Sequence, residues 1–231
     1  MTLNVNLPSP NKTTLILCSI VLSITLLSLL SVILRHNWGI INGGRLFYMD
    51  EEANLPTWYS FIALLYSSLL AWLIAHCINK IRAPFAKTWT LLGCALFFMS
   101  MDEFMQIHEA YMRLLRKIDL LNELGYNAWL VIGIALVAII APFMARMWWH
   151  LPARFKLVFF CSTLIFFGGS IIVEFIANNY AEKMGESSLG YTLLIHVEEI
   201  MEMAGIVILI NGLMKYLRTF TNKICFETKS G

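Results

Sequence analysis

Three stretches of this chain set acidic and imidazole side chains among apolar residues. The first is Ser100-Met101-Asp102-Glu103-Phe104-Met105-Gln106-Ile107-His108-Glu109, which follows a mainly apolar run from Trp89. On a helix, Asp102, Gln106 and Glu109 stand at i, i+4 and i+7 and share one face, with Glu103 and His108 flanking it on opposite sides. In the second, His196-Val197-Glu198-Glu199-Ile200-Met201-Glu202-Met203, the residues His196, Glu199 and Glu202 fan across one side of a helix. The third is Glu174, followed one turn later by Asn178. Carboxylates gathered without counter-charge repel one another, and shared protons or a bound cation relieve the repulsion. Carboxylate and imidazole together are ligands for iron, manganese and zinc. The set is therefore read as a divalent metal site, with ligands or acid/base groups drawn from Asp102, Glu103, His108, Glu109, Glu174, His196, Glu199 and Glu202. These are too many for one ion, so the expectation is a dinuclear site, or one metal beside a general base.

The metal itself stays open between iron, manganese and zinc. Helical bundles build dinuclear iron or manganese sites from a carboxylate on each of two helices plus Glu-x-x-His on the other two. His196-x-x-Glu199 has the reverse order, so the match is one of ligand type. Zinc with an open position would make a hydrolytic centre. Copper has the weakest claim: Met101, Met105, His108 and Met112 form a stripe that soft Cu(I) accepts, but methionine at helical spacing is ordinarily an apolar filler. Plainer roles compete with each ligand. His108 and Glu109 read equally as outer-interface residues solvated by headgroups, Glu174 as a lone hydrogen-bonding group, and Glu198 as outward-facing and solvated. His36, His76 and His150 are most simply interfacial.

The elements that must hold these groups are membrane helices. Of 231 residues 58% are hydrophobic and 14% charged, with mean hydropathy +0.69. A soluble globule could not hide so much apolar side chain. A spanning helix needs roughly 20 mainly apolar residues, and six windows qualify: Thr13–Leu34, Thr57–Ala75, Thr88–Met112, Ala128–Trp148, Phe155–Ala177 and Tyr191–Tyr216. The expected fold is all-α, a polytopic transmembrane bundle of about six helices forming one integral membrane domain over residues 1–231. The first window lacks a convincing cleavage site and is read as a retained helix. Its uncharged run also lacks the alternation of a barrel strand, and in lipid the backbone must be satisfied internally. Gly168-Gly169-Ser170, just below Glu174, is a small-residue patch suited to close approach of another helix. The net charge of +2 and the absence of a basic arm speak against a nucleic-acid partner.

Orientation follows from the excess of lysine and arginine in cytoplasmic loops. With both ends inside, eleven of the 17 basic residues fall on the inner side and six outside. None of Cys18, Cys77, Cys94, Cys161 and Cys225 then lies outside, where a disulfide would form. The expected location is the inner, cytoplasmic membrane with both termini in the cytoplasm. At ~1.5 Å rise per residue, Asp102 lies about 22 Å from Lys87, Glu174 about 27 Å from Lys156 and Glu199 about 24 Å from Lys215. Three helices thus put their ionisable groups in one layer in the outer half of the membrane, which Asp50, Glu51 and Glu52 could cap. A charge at such depth costs about 2.5–3.5 kcal/mol to insert, so the acids should face one another.

Ser100-Met101-Asp102-Glu103 with Ile107-His108-Glu109, and Glu198-Glu199-Ile200-Met201-Glu202-Met203-Ala204-Gly205, resemble segments of uncharacterised bacterial multi-pass membrane proteins. The resemblance covers parts of two helices and implies no activity. Three functions remain in play. The first is a metalloprotein, acting as an enzyme on a lipid-like small molecule. The second is a proton- or cation-coupled transporter using the same acids, and the third is a non-catalytic subunit of a membrane complex.

Overall fold

Long apolar runs with few breakers give long helices. The structure, a computed structural model, describes residues 2–38, 45–51, 53–108, 110 and 128–227. Among them are six helices: α1 (Pro10–Trp38), α2 (Leu55–Lys80), α3 (Ala86–Met105), α4 (Ala128–Trp149), α5 (Ala153–Met184) and α6 (Leu189–Leu217). The six expected windows correspond to these one by one, so the fold is all-α as the sequence indicates, with one short ribbon at the chain ends besides. Three of the helices, α1, α2 and α5, are long and apolar enough to cross a membrane.

Local chemistry sets the helix starts. The Asn54 side chain accepts from Thr57 N–H, with Pro56 in the first turn of α2, and Ser188 accepts from Tyr191 N–H to open α6. Two ends depart from expectation. The α3 helix stops at Met105, because Gln106 adopts a left-handed conformation with φ 56°. The α5 helix runs past Ala177 to Met184 and stops at Gly185, φ +84°. Its last turns carry Asn178, Asn179, Glu182 and Lys183, which end the apolar run without ending the helix.

Side chains are distributed inside out relative to a soluble protein. Leu15, Ile139 and Leu157 are 69%, 65% and 66% exposed, whereas Ser28, Ser67, Ser68 and Ser100 are wholly buried. Lipid-facing helices gain nothing by hiding leucine from hydrocarbon, so they join through small and polar residues. Ser68 Oγ donates to the Gly93 carbonyl at 2.7 Å and Ser100 Oγ to the Phe61 carbonyl at 2.9 Å, joining α2 to α3. Ser162 Oγ donates to the Gly205 carbonyl at 2.8 Å, joining α5 to α6, and Asn211 Nδ2 donates to Thr14 Oγ1 at 2.6 Å, joining α6 to α1. The apolar core lies where α2 and α6 meet, around Leu70, Ile74, Met203, Ile206, Ile210 and Leu213. Both α1 and α5 also pack on α6, which makes α6 the central helix.

The chain ends meet in one short ribbon. Strand β1 (Thr2–Asn6) pairs antiparallel with β2 (Lys223–Glu227), Thr2 opposite Glu227 and Asn6 opposite Lys223. Arg218 reinforces the closure by donating to the carbonyls of Leu7 and Pro8 at 2.9 and 3.0 Å. Both chain ends therefore sit at the same end of the helices.

Candidate functional site

The middle of α5 is widened. Gly168–Val173 forms a π turn, in which the Glu174 N–H reaches the carbonyl of Gly169 five residues back. The two glycines allow it, since α6 presses directly on this turn. A Cβ on Gly169 would stand 2.9 Å from the Glu198 carbonyl oxygen and 3.3 Å from Glu202 Cγ. The small-residue patch thus lets α6 approach, and it does so at the level of the α6 acids. One turn beyond the widening, Asn178 Nδ2 donates weakly to Glu174 Oε1 at 3.5 Å.

Four elements contribute to one acidic neighbourhood. Glu202 stands within electrostatic reach of Glu199, Glu103, Glu198 and Glu174. Glu198 stands within reach of Glu174, Glu199 and Asp50. Helices α3 and α5 and the loop before α2 therefore each bring a carboxylate within electrostatic reach of an α6 acid. Glu198 does not face outward into solvent as its place in the sequence suggests. Its Oε2 is buried and has no hydrogen-bond partner among the described residues.

The two candidate histidines turn to other partners. His108 N–H donates to Asp102 Oδ1 at 2.7 Å, and His108 Nδ1 lies 3.3 Å from Asp102 Oδ2. Asp102 thus tethers the segment that follows the left-handed Gln106, and Gln106 N–H itself bonds the Asp102 carbonyl at 2.7 Å. The left-handed Gln106 interrupts the regular helix on which the expected face of Asp102, Gln106 and Glu109 and the stripe of Met101, Met105, His108 and Met112 depend. Glu109, Met112 and Arg113 lie outside the described residues. His196, 3% exposed, is held at both ring nitrogens. Its Nδ1 lies 2.7 Å from the Thr192 carbonyl and its Nε2 2.9 Å from Ser28 Oγ on α1. An Nδ1–H donating to that carbonyl leaves Nε2 to accept the Ser28 hydroxyl proton, while Ser28 Oγ accepts Met49 N–H at 3.1 Å. This neutral tautomer satisfies every group. Among the described residues no three side chains of the His, Cys, Asp and Glu types come together as a group that could hold a metal ion.

Asp50 is the participant to which sequence reasoning gave only a capping role. The Tyr191 hydroxyl donates to Asp50 Oδ1 at 3.2 Å, and the Tyr48 hydroxyl to Oδ2 at 3.4 Å. The loop is folded onto the helices by further bonds: Asn54 Nδ2 donates to the Tyr48 carbonyl at 2.6 Å, and the Tyr48 ring lies 6.1 Å from that of His196. Burial pushes the Asp50 carboxyl up to about 6; the two tyrosine hydroxyls oppose the rise, and nearby Glu186 and Glu51 add to it. Glu51 pairs with Arg45, and Glu52 lies outside the described residues. A single clue was present in the sequence: Tyr48 and Asp50 immediately precede the Asn54 and Pro56 start of α2, which ties that loop to the helix ends.

Such an arrangement can exchange protons or a small cation between carboxylates that lie at different depths. Comparison with curated proteins gives no match, and neither does comparison with solved structures. The model of one family, described as Domain of unknown function (DUF8692), matches residues 14–216, from the first turns of α1 to the last of α6. The chain belongs to that family.

Proposed function

We propose that this chain is a multi-pass inner-membrane protein in which the acidic layer carries protons, as a proton- or cation-coupled transporter. One observation carries the reading: Glu202 on α6 stands within electrostatic reach of Glu103 on α3 and Glu174 on α5 as well as of Glu198 and Glu199, and Glu198, with a buried, unpartnered oxygen, within reach of Asp50. Intramembrane carboxylates that face one another are costly and typically mark ion pathways or proton relays. An asymmetric supply of charge supports the orientation. Basic residues predominate at the end where β1 and β2 pair, which the positive-inside tendency assigns to the cytoplasm.

The test uses full-length protein in liposomes loaded with a pH-sensitive dye. Wild type should relax an imposed pH gradient, and Glu198→Gln and Glu202→Gln should each slow relaxation at least about tenfold. Relaxation no faster than in protein-free liposomes, or unaltered in both variants, would sink the proposal. A metal centre of iron, manganese or zinc is the second reading, favoured by the number of carboxylates. With both ring nitrogens of His196 engaged elsewhere, the α6 donors are oxygens, which suit manganese better than zinc. Elemental analysis of chelator-free protein decides it: stoichiometric metal in wild type that is lost in Glu199→Gln would transfer the site to metal chemistry.

A further inference from the structure

The end of the bundle away from the acidic layer carries charge of the opposite sign. Two turns meet there, one joining α2 to α3 and one joining α4 to α5. Residues 80–87 and 146–156 contain Lys80, Arg82, Lys87, Arg146, Arg154 and Lys156 and no aspartate or glutamate. The ring of Phe85 packs against that of His150 with centroids 4.9 Å apart, which brings the two basic segments side by side. This contact is held at a conformational cost. Phe85 and Arg82 both have positive φ, 73° and 55°, a region uncommon for large side chains. The second turn is fixed as well, since Trp148 Nε1 donates to the Lys156 carbonyl at 2.9 Å. The Lys156 ammonium lies 5.6 and 5.7 Å from the Trp148 and Trp149 rings.

We propose that these adjoining turns form a binding site for an anionic phospholipid, held through its headgroup phosphate. Lys80, Arg82, Lys87, Arg146 and Arg154 are exposed, and none of the six basic side chains forms an ion pair with a described acid. Their charge is therefore available to an outside partner. Depth selects the partner. Trp149, 72% exposed, and Trp148 have the amphipathic rings that settle at headgroup level, so the neighbouring cations stand where phosphates lie. Basic groups between helices on the cytoplasmic side are suited to acidic headgroups, and guanidinium groups match phosphate oxygens in a two-pronged geometry. The proposal rests on the membrane reading of the chain and not on proton transfer.

Native mass spectrometry of the full-length protein in neutral detergent, titrated with phosphatidylglycerol or phosphatidylcholine, tests it. Wild type should bind phosphatidylglycerol at least about tenfold more tightly. Arg82→Gln with Arg154→Gln should weaken that binding roughly thirtyfold, as two interfacial charges imply, and Arg82→Lys with Arg154→Lys should restore most of it. Lys183→Gln, at the opposite end, should change nothing. Equal retention of the two lipids by wild type overturns the proposal. So does unchanged phosphatidylglycerol binding in the glutamine pair or, should that pair not fold, in Lys87→Gln with Arg146→Gln. Because the readout is lipid retention, its failure leaves the proton-transport reading standing, and the converse also holds.

Discussion

At the end built from the α2–α3 and α4–α5 turns, the cations stand in the open, whereas at the other end the carboxylates are drawn in between helices. Side-chain length explains much of the contrast. Lysine and arginine can run an apolar stem along the helix and still lift the charge to the interface. Glutamate is shorter, so an acid part-way along α6 has to be accommodated where it stands. The α6 helix meets this by keeping Glu198 and Glu202 within reach of Glu174 on α5, and Glu202 within reach of Glu103 on α3. The basic end needs no such packing, and its exposed residues are the ones proposed to meet lipid. The acidic end is a packed device, in which helix spacing should control chemistry.

That dependence gives the largest expected effect. Gly169→Leu would push a side chain into the Glu198 carbonyl, already 2.9 Å from the position of a Cβ, and neither backbone can yield cheaply. The variant should lose about 2–3 kcal/mol of stability in detergent and relax a pH gradient more slowly than wild type. Normal stability would show that α5 and α6 are not locked at the π turn. The packed-device side of the comparison would then fail.

The second effect separates Asp50 from the exposed cations. Its carboxyl is raised from 3.8 to about 6 in the folded loop, so folding favours the protonated form. The stability this contributes is full below 3.8 and is lost as pH rises through about 6. At neutral pH the ionised group opposes loop closure, and Asp50→Asn should therefore stabilise the protein by about 2 kcal/mol. The asparagine keeps a carbonyl oxygen for one tyrosine hydroxyl. Thermal unfolding of wild type and variant from pH 4 to 7 checks the sign: the difference should grow with pH. A constant difference would mean that Asp50 is as well solvated as the lysines at the other end.

Hydropathy made the helices legible, because the windows from Thr13 to Tyr216 need only composition to be seen. The candidate acids were legible for the same reason: Glu174 and Glu202 interrupt runs that are otherwise apolar. What stayed hidden depends on contacts between distant residues or on backbone conformation. The break at Gln106 has no apolar signature and is tied by the local Asp102–His108 bond, so the window through this stretch gives no sign of the left-handed residue inside it. Glu198 could not be oriented, because α6 has neighbours on several sides and adjacent residues on it differ by about 100° in direction. Five-residue strands at the two chain ends carry no periodic signal of their own, since each is defined by its partner. His196 was classed with the acids by helical spacing, while its real partner, Ser28, lies 168 residues away.

That pairing gives the smallest of the three expected effects, and it tests whether the acidic layer and the histidine network are separate. Ser28→Ala removes the hydroxyl that donates to His196 Nε2 and accepts Met49 N–H. Two buried polar groups would lose their partner, at a cost of about 1–2 kcal/mol, which a thermal unfolding series should resolve. The pH-gradient relaxation of folded Ser28→Ala should match wild type, because the network joins α1 to α6 and the loop without using a carboxylate. If gradient relaxation in this variant fell as far as in Glu198→Gln, His196 would belong to the proton path. The boundary drawn between carboxylates that carry charge and a histidine that holds helices together would have to move.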